Sequence, residues 1–243
     1  ADFYNCVAMM KERLRANAVP IQLPIGKEDH FEGIIDLVKN KAYFYRDDLG
    51  KQIDEVEVPE DMKTLVDEYR LKMIEAIAEL DEDLLTKYFE GEELSEAELK
   101  NGIRKATISN TIIPVCCGSS YKNKGVQILL DAVVDYMPSP LEGEPVKATV
   151  NGGKEELIKP DSSKPFVAYV FKTVIDQFTG KISYFKVVRG IAKNDMEIYN
   201  TRSQTKEKSG KLFKVLGKNL VDTDVLESGD IGAVVKLDSV HTS

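Results

Sequence analysis

Apolar positions in the first 140 residues switch several times between a helical and an extended period. Phe3, Val7, Met10 and Leu14 share one side of a 3.6-residue repeat, which predicts a helix from Phe3 to Ala16. An extended run follows, Val19-Pro20-Ile21-Gln22-Leu23-Pro24. From Phe31 to Val58 the pattern is strand-rich, with turns expected at Gly33 and at Asp48-Leu49-Gly50. Pro59 suits a first helical turn, and the stripe Met62, Val66, Tyr69, Met73, Ile77, Leu80 predicts a long helix to about Leu80. Its opposite side carries Asp61, Glu68, Lys72, Glu75 and Glu79. Two shorter helices are expected, Glu82 to Phe89 and Ser95 to Ser109, the latter opened by the capping box Ser95-Glu96-Ala97-Glu98.

The apolar run Thr111-Ile112-Ile113-Pro114-Val115-Cys116 then leads through a polar turn, Cys117 to Gly125, into an amphipathic segment that stops at Pro138-Ser139-Pro140. Strand, polar turn and helix in that order form the place where α/β domains bind ligands. Glu142 to Pro165 reads as a polar linker containing Asn151-Gly152-Gly153. From Phe166 the pattern is all-β: Phe166 to Phe171, Ile182 to Val188, Met196 to Tyr199, Lys211 to Leu216 and Ile231 to Leu237. Turns at Thr179-Gly180, Lys193-Asn194-Asp195 and Ser228-Gly229-Asp230 separate short strands at the spacing of a small barrel. The fold class is therefore α/β with an inserted α+β part, followed by an all-β barrel. The expected divisions are 1–30, 31–110, 111–141, a linker at 142–165, and 166–243.

Composition narrows this picture modestly. At 243 residues the chain has room for about two domains, and no segment approaches the ~20 apolar residues of a membrane span. Both ends fall inside structured patterns, Ala1-Asp2-Phe3-Tyr4 and Asp238 to Ser243, and read as cuts in a longer protein. Cys6, Cys116 and Cys117 are sparse and odd in number, which fits buried thiols in a reducing, cytoplasmic setting; with only His30 and His241 beside them, a zinc site is not expected. The net charge of −8 conceals a division: residues 47–98 hold 19 acidic and 5 basic side chains, while residues 164–218 hold 12 basic and 4 acidic. Two surfaces with different partners, or two solvated faces, would each produce it. In the barrel, Lys and Arg alternate with apolar residues, which predicts one basic face.

The chemistry-bearing motifs are mostly missing. A phosphate loop ends in Gly-Lys-Ser/Thr so that lysine and hydroxyl reach phosphate and magnesium. Gly-Lys begins at Gly26, Gly50, Gly153, Gly180, Gly210 and Gly217, and Ser or Thr follows none of them. Asn40-Lys41 and Asn123-Lys124 lack the Asp of the Asn-Lys-x-Asp guanine reader. Asp47-Asp48-Leu49-Gly50 matches the magnesium-side Asp-x-x-Gly weakly and reads better as a hairpin turn.

What remains is Cys117-Gly118-Ser119-Ser120-Tyr121-Lys122-Asn123-Lys124-Gly125-Val126, which resembles the last guanine-binding loop of the elongation factor G family. The resemblance extends along the chain: Ala1-Asp2-Phe3-Tyr4, His30-Phe31-Glu32-Gly33-Ile34-Ile35-Asp36-Leu37-Val38, Gly91-Glu92-Glu93-Leu94-Ser95 and Ser228-Gly229-Asp230-Ile231-Gly232-Ala233 are similarly ordered and spaced. It implies the end of a P-loop GTPase domain with its insert, then a translation-protein barrel. It also implies a parent protein that uses GTP or GDP with magnesium to move tRNA and mRNA through the ribosome. This stretch, without a phosphate loop, is expected neither to hold nucleotide nor to hydrolyse it. By the same resemblance Ser119, Ser120 and Tyr121 would face guanine, and Glu68, Glu75 and Glu79 would meet the stalk protein of the large ribosomal subunit. Lys181, Lys186, Arg189, Lys206, Lys208, Lys211 and Lys214 would contact small-subunit rRNA. Ser120 stands where the family usually has Ala, a position that would act through its backbone N–H. A docking module of a paralogue is the alternative, as is a tetracycline-type ribosomal protection protein, against which the long insert argues.

Overall fold

The computed structural model describes residues 2–47, 49–150, 153–237 and 239–242. Ala1, Asp48, Asn151, Gly152, Asp238 and Ser243, which belong to the predicted chain ends, 47–50 turn and linker, lie outside the described residues. The chain forms two units, residues 1–138 and 139–243.

In the first unit the elements are α1 (Phe3–Leu14), β1 (Ala18–Pro20), β2 (Gln22–Ile25), β3 (Gly33–Asp36), β4 (Lys41–Tyr45), β5 (Ile53–Val56), α2 (Lys63–Ala78), α3 (Glu82–Glu90), α4 (Glu96–Ile108), β6 (Ile113–Val115) and α5 (Val126–Tyr136). Asp2 caps α1, its carboxylate accepting the Asn5 N–H at 3.0 Å. The helix delivers the chain to β1, which pairs in parallel with β6 across almost a hundred residues, Val19 opposite Pro114. The strands β2-β3-β4-β5 form an antiparallel meander in that order. Leu23 of β2 lies opposite Ile35 of β3, and both are fully buried. They join Leu37, Val66, Met73 and Ile77 of the α2 stripe, and Leu99 and Ile103 of α4, in one core. Each such aliphatic side chain contributes about 1.5–3 kcal/mol over leaving it in water.

Two local expectations change. Gly33 opens a strand rather than a turn: a Cβ there would lie 2.3 Å from the Tyr43 carbonyl oxygen, so close strand approach explains the glycine. The reversal comes after Asp36, whose carboxylate accepts the Val38 and Lys39 N–H groups at 2.8 and 3.0 Å. Leu80, counted in the α2 stripe, lies beyond the helix and is 45% exposed. The capping box forms as expected, Ser95 Oγ accepting from the Glu98 N–H and the Glu98 carboxylate from the Ser95 N–H.

The second unit holds β7 (Val146–Val150), β8 (Lys154–Ile158), β9 (Val167–Asp176), β10 (Gly180–Arg189), β11 (Ala192–Lys193), β12 (Glu197–Asn200), β13 (Thr205–Lys208), β14 (Leu212–Leu216), β15 (Asn219–Thr223), β16 (Val225–Leu226) and β17 (Ile231–Val235). A five-stranded antiparallel sheet of order β15-β14-β17-β10-β9 joins the pairs β11-β16 and β12-β13 in the barrel. Phe185, Val187, Leu212, Leu226 and Val234 form its core. Where the sequence reads as polar linker, β7 and β8 pair as an antiparallel hairpin, Val146 opposite Ile158. Its charged residues face water and its one deeply buried side chain is Ile158, so neither period stands out in the sequence. Arg189 at the end of β10 ties it down through Glu156 at 2.8 Å.

Candidate functional site

The loop after β6 is built on backbone pairing. Gln22, almost fully buried, accepts the Cys117 N–H at 3.2 Å and fixes where the chain leaves the strand. Ser119 and Lys124 then exchange backbone hydrogen bonds at 2.8 and 2.9 Å. Inside that bridge the Asn123 N–H donates to the Ser120 carbonyl at 3.2 Å, with Asn123 at φ 51°. Residues 120–123 are thus a tight turn at the carboxyl end of a parallel strand, immediately before α5. Ser119, Ser120 and Tyr121 come together at its tip. Their roles differ: the Ser119 N–H is committed to Lys124, whereas the Ser120 N–H makes no hydrogen bond among the described residues. Tyr121 is 98% exposed.

Residues that sequence reasoning missed hold this loop from behind. Asn123 Nδ2 donates to the Leu49 carbonyl at 2.8 Å, and Gln127 Nε2 to the Gly50 carbonyl at 2.9 Å. Lys122 Nζ reaches the Asp29 carbonyl at 3.2 Å, and the buried Lys124 Nζ the Phe31 carbonyl at 3.3 Å. Gly50 adopts φ 64°, and a Cβ on it would fall 2.0 Å from the Asn123 carbonyl oxygen. The Asp47 carboxylate shapes this turn, accepting the Lys51 and Gln52 N–H groups at 2.8 and 3.0 Å. Those bonds, the one from Gln52 foremost, hold its pKa below the usual carboxylate value. Asp47, Leu49 and Gly50 of the weak Asp-x-x-Gly match thus join β4 to β5 and support the loop. The link from Leu49 to Asn123, 74 residues away, has no signal in the sequence.

Burial pushes the thiols beside the loop up to about 11 for Cys116 and about 12 for Cys117. All three cysteines are part-buried rather than buried, so the expectation of buried thiols is met only in part. A cavity of about 640 Å³ lies in the barrel, lined by Phe166, Val170, Tyr199, Leu212 and Val240, and shares no residue with the loop.

Residues 165–243 match the family described as elongation factor G domain 2. The crystal structure of a protein from Thermus thermophilus matches 100% of this chain and 33% of its own, with a TM-score of 0.77 and 28% identity. Residues 165–243 thus carry a likeness to elongation factor G domain 2, and the whole chain shares the fold of that solved protein. The chain spans about a third of the length of that solved protein.

Of the predicted acidic residues, Glu68 and Glu75 lie on the exposed side of α2 and Glu79 is its C-terminal cap. Glu68 pairs with Lys72 one turn on, and Lys72 also sits 5.2 Å from the Tyr69 ring centre. Glu75 accepts the Tyr88 hydroxyl at 2.9 Å. Glu79 is exposed and has no ion pair among the described residues. The basic residues of domain 2 do not make one face. Lys181, Lys186 and Arg189 lie on β10, Lys206 and Lys208 on β13, and Lys214 on β14, with Lys211 just before it. Arg189, Lys206 and Lys211 pair with Glu156, Glu197 and Asp222 at 2.8, 2.8 and 3.1 Å. Lys186 lies opposite Ile231 and Lys214 opposite Gly232. Successive residues of β17 point to opposite sides, so these two lysines leave the sheet from opposite faces. The alternation read along single strands predicted one face because it ignored how β14 and β10 meet β17.

The fit to a guanine nucleotide is confined to the base: the open Ser120 amide matches a carbonyl acceptor, while no motif of the sequence supplies phosphate or magnesium contacts. Among the described residues, no three His, Cys, Asp or Glu side chains gather as a metal site, and no helix is long and apolar enough to cross a membrane.

Proposed function

We propose that this stretch supplies the base-contacting wall of the nucleotide pocket and two docking surfaces of a GTP-driven factor that moves tRNA and mRNA on the ribosome. The observation that carries the reading is the loop of residues 118–125, set at the end of a parallel strand with the Ser120 N–H open, in a chain that continues into elongation factor G domain 2. The Ser120 N–H donates to the guanine 6-oxo group, a contact indifferent to the serine side chain. Ser119 holds the bridge to Lys124 that presents it, and Tyr121 flanks the base. GTP, when bound, supplies the phosphoanhydride whose hydrolysis drives the cycle. Its phosphates and magnesium are held by residues outside this stretch, which therefore does not turn over GTP alone.

The exposed side of α2 and its C-terminal cap Glu79 offer carboxylates to basic residues of the large-subunit stalk protein. Such attraction raises encounter rates more than affinity. Lys186, Lys208 and Lys214 of domain 2 meet rRNA phosphates, which position without reading sequence. Calorimetric titration of GDP into the full-length protein and into this 243-residue stretch tests the core of the reading. Binding is expected by the full-length protein and none by the stretch. Submicromolar binding by the stretch would sink the incomplete pocket, and no binding by the full-length protein would sink the assignment itself. Charge reversal at Glu68, Glu75 and Glu79 should slow stalk-protein association; an unchanged on-rate and salt dependence removes that surface.

A further inference from the structure

Reading a base with one backbone amide makes no demand on residues 47–50, yet the turn between β4 and β5 is seated directly behind the loop. The loop's own resources are slight. Its tip is closed by a single 3.2 Å backbone bond, and Ser120, Tyr121 and Asn123 are all exposed. What fixes it comes from elsewhere: four side chains, Lys122, Asn123, Lys124 and Gln127, donate to four backbone carbonyls at Asp29, Phe31, Leu49 and Gly50. Every donor belongs to the loop or the first turn of α5, and every acceptor to the segment 29–50. Asn123 and Gln127 grip successive residues of one turn, at 2.8 and 2.9 Å, where Gly50 leaves no room for a side chain. A donor pair reaching adjacent carbonyls defines both the position and the tilt of what carries it.

We propose that Asn123 and Gln127 are positioning residues for base recognition, locking the Ser120 amide in register through the backbone carbonyls of Leu49 and Gly50. This rests on the base-reading role proposed above for its functional arm, and on geometry alone for its structural arm. Backbone acceptors make the lock independent of the side chains in the turn, so its specificity resides in the two amide donors and in Gly50. Any shift of the β4–β5 hairpin is carried to the loop.

The structural arm is amide hydrogen exchange on this 243-residue chain. Loss of two hydrogen bonds in N123A/Q127A should speed exchange of the Ser119 and Lys124 amides by about tenfold, more than that of the β3 and β4 amides, and lower the melting temperature by only a few degrees. N123D/Q127E keeps the volumes, removes the donors and should behave the same way. The functional arm uses the full-length protein and compares GDP with the diphosphate of 2-aminopurine riboside, which lacks the 6-oxo acceptor. In the double variant the preference for GDP should shrink by about tenfold, which a general loss of stability would not produce. Unchanged exchange at Ser119 and Lys124 overturns the lock. Faster exchange with an unaltered 6-oxo preference overturns its role in recognition. A wild-type protein with no 6-oxo preference overturns the base-reading role instead, and the exchange arm still decides the lock.

Discussion

The loop at 118–125 and the basic strands of domain 2 differ in what holds their side chains in place. Around the loop, amide and ammonium donors reach backbone carbonyls many tens of residues away, and the acceptors are fixed by a hairpin packed on a buried core. On the strands, lysines face water, and their partners are neighbours across one hairpin, Glu197 for Lys206 and Asp222 for Lys211. Exposed pairs of this kind are worth about 0–1 kcal/mol. The barrel is carried by its strand ladder and by Phe185, Val187, Leu212 and Val234, not by its charges. A substitution behind the loop therefore changes geometry, whereas one on the strands changes only the local potential.

Leu99→Ala gives that contrast its largest test. The side chain is fully buried in the main core of the first unit, so its loss should cost about 2–5 kcal/mol in urea unfolding of that unit. The transition of the second unit should stay where it was, and Lys206→Ala should move either transition by less than ~1 kcal/mol. A shift of both units together in L99A would mean that the two do not unfold separately.

The thiols supply the next effect. Burial raises Cys116 and Cys117 to about 11 and 12 in the folded chain, while the unfolded thiol titrates near about 8.5. Between those values the unfolded state has lost protons that the folded state keeps. Stability is thus fully present below pH ~8.5 and falls as the pH rises toward 11, by at most about 1.4 kcal/mol per pH unit for each thiol. All three cysteines lie in the first unit, so the second should lack this slope. Measured between pH 8 and 10, the slope should flatten in Cys117→Ala, and an identical slope there would place its origin elsewhere.

The cap of α4 gives a smaller change. Ser95→Ala should destabilise the first unit by about 1 kcal/mol. The ion pair with Lys87, followed by the bonds from Ser95, holds the Glu98 carboxyl down at about 2. The support it gives is present above the ordinary carboxylate range and is lost as the pH falls through about 2. In S95A its titration, followed by NMR, should move upward part of the way, since Lys87 remains.

What could be read from the residues follows the range of the interactions. The helices α1 to α5 were legible because their stripes and caps are local: Met73 and Ile77 repeat at helical spacing, and Ser95 and Glu98 sit three apart. The position of the loop was legible too, because strand, polar turn and helix follow one another from Ile113 to Tyr136. Its supports were not, since Asn123 meets Leu49 and Gln127 meets Gly50 only after the meander has folded. Gly33 was misread because a glycine needed for close strand approach carries the same letter as one needed for a turn. The hairpin β7–β8 was hidden by its exposed charges, and the split of the basic residues by cross-strand register, which one strand cannot display.

That split allows the finest test of the charged surface. Lys186 and Lys214 leave the same sheet from opposite faces, one opposite Ile231 and the other opposite Gly232. A flat phosphate backbone can touch one of those faces at a time. If domain 2 docks on rRNA through the face that also exposes Tyr169 and Ile231, Lys186→Ala should lower the slope of log affinity for the small subunit against log salt by about 1. Lys214→Ala should then leave that slope unchanged. The reverse pattern would assign docking to the barrel's edge at Lys214, since the face it shares with Phe185 and Leu212 is buried core. Equal effects from both would require the rRNA to wrap the sheet edge, and no effect from either would leave the lysines as solvated strand residues.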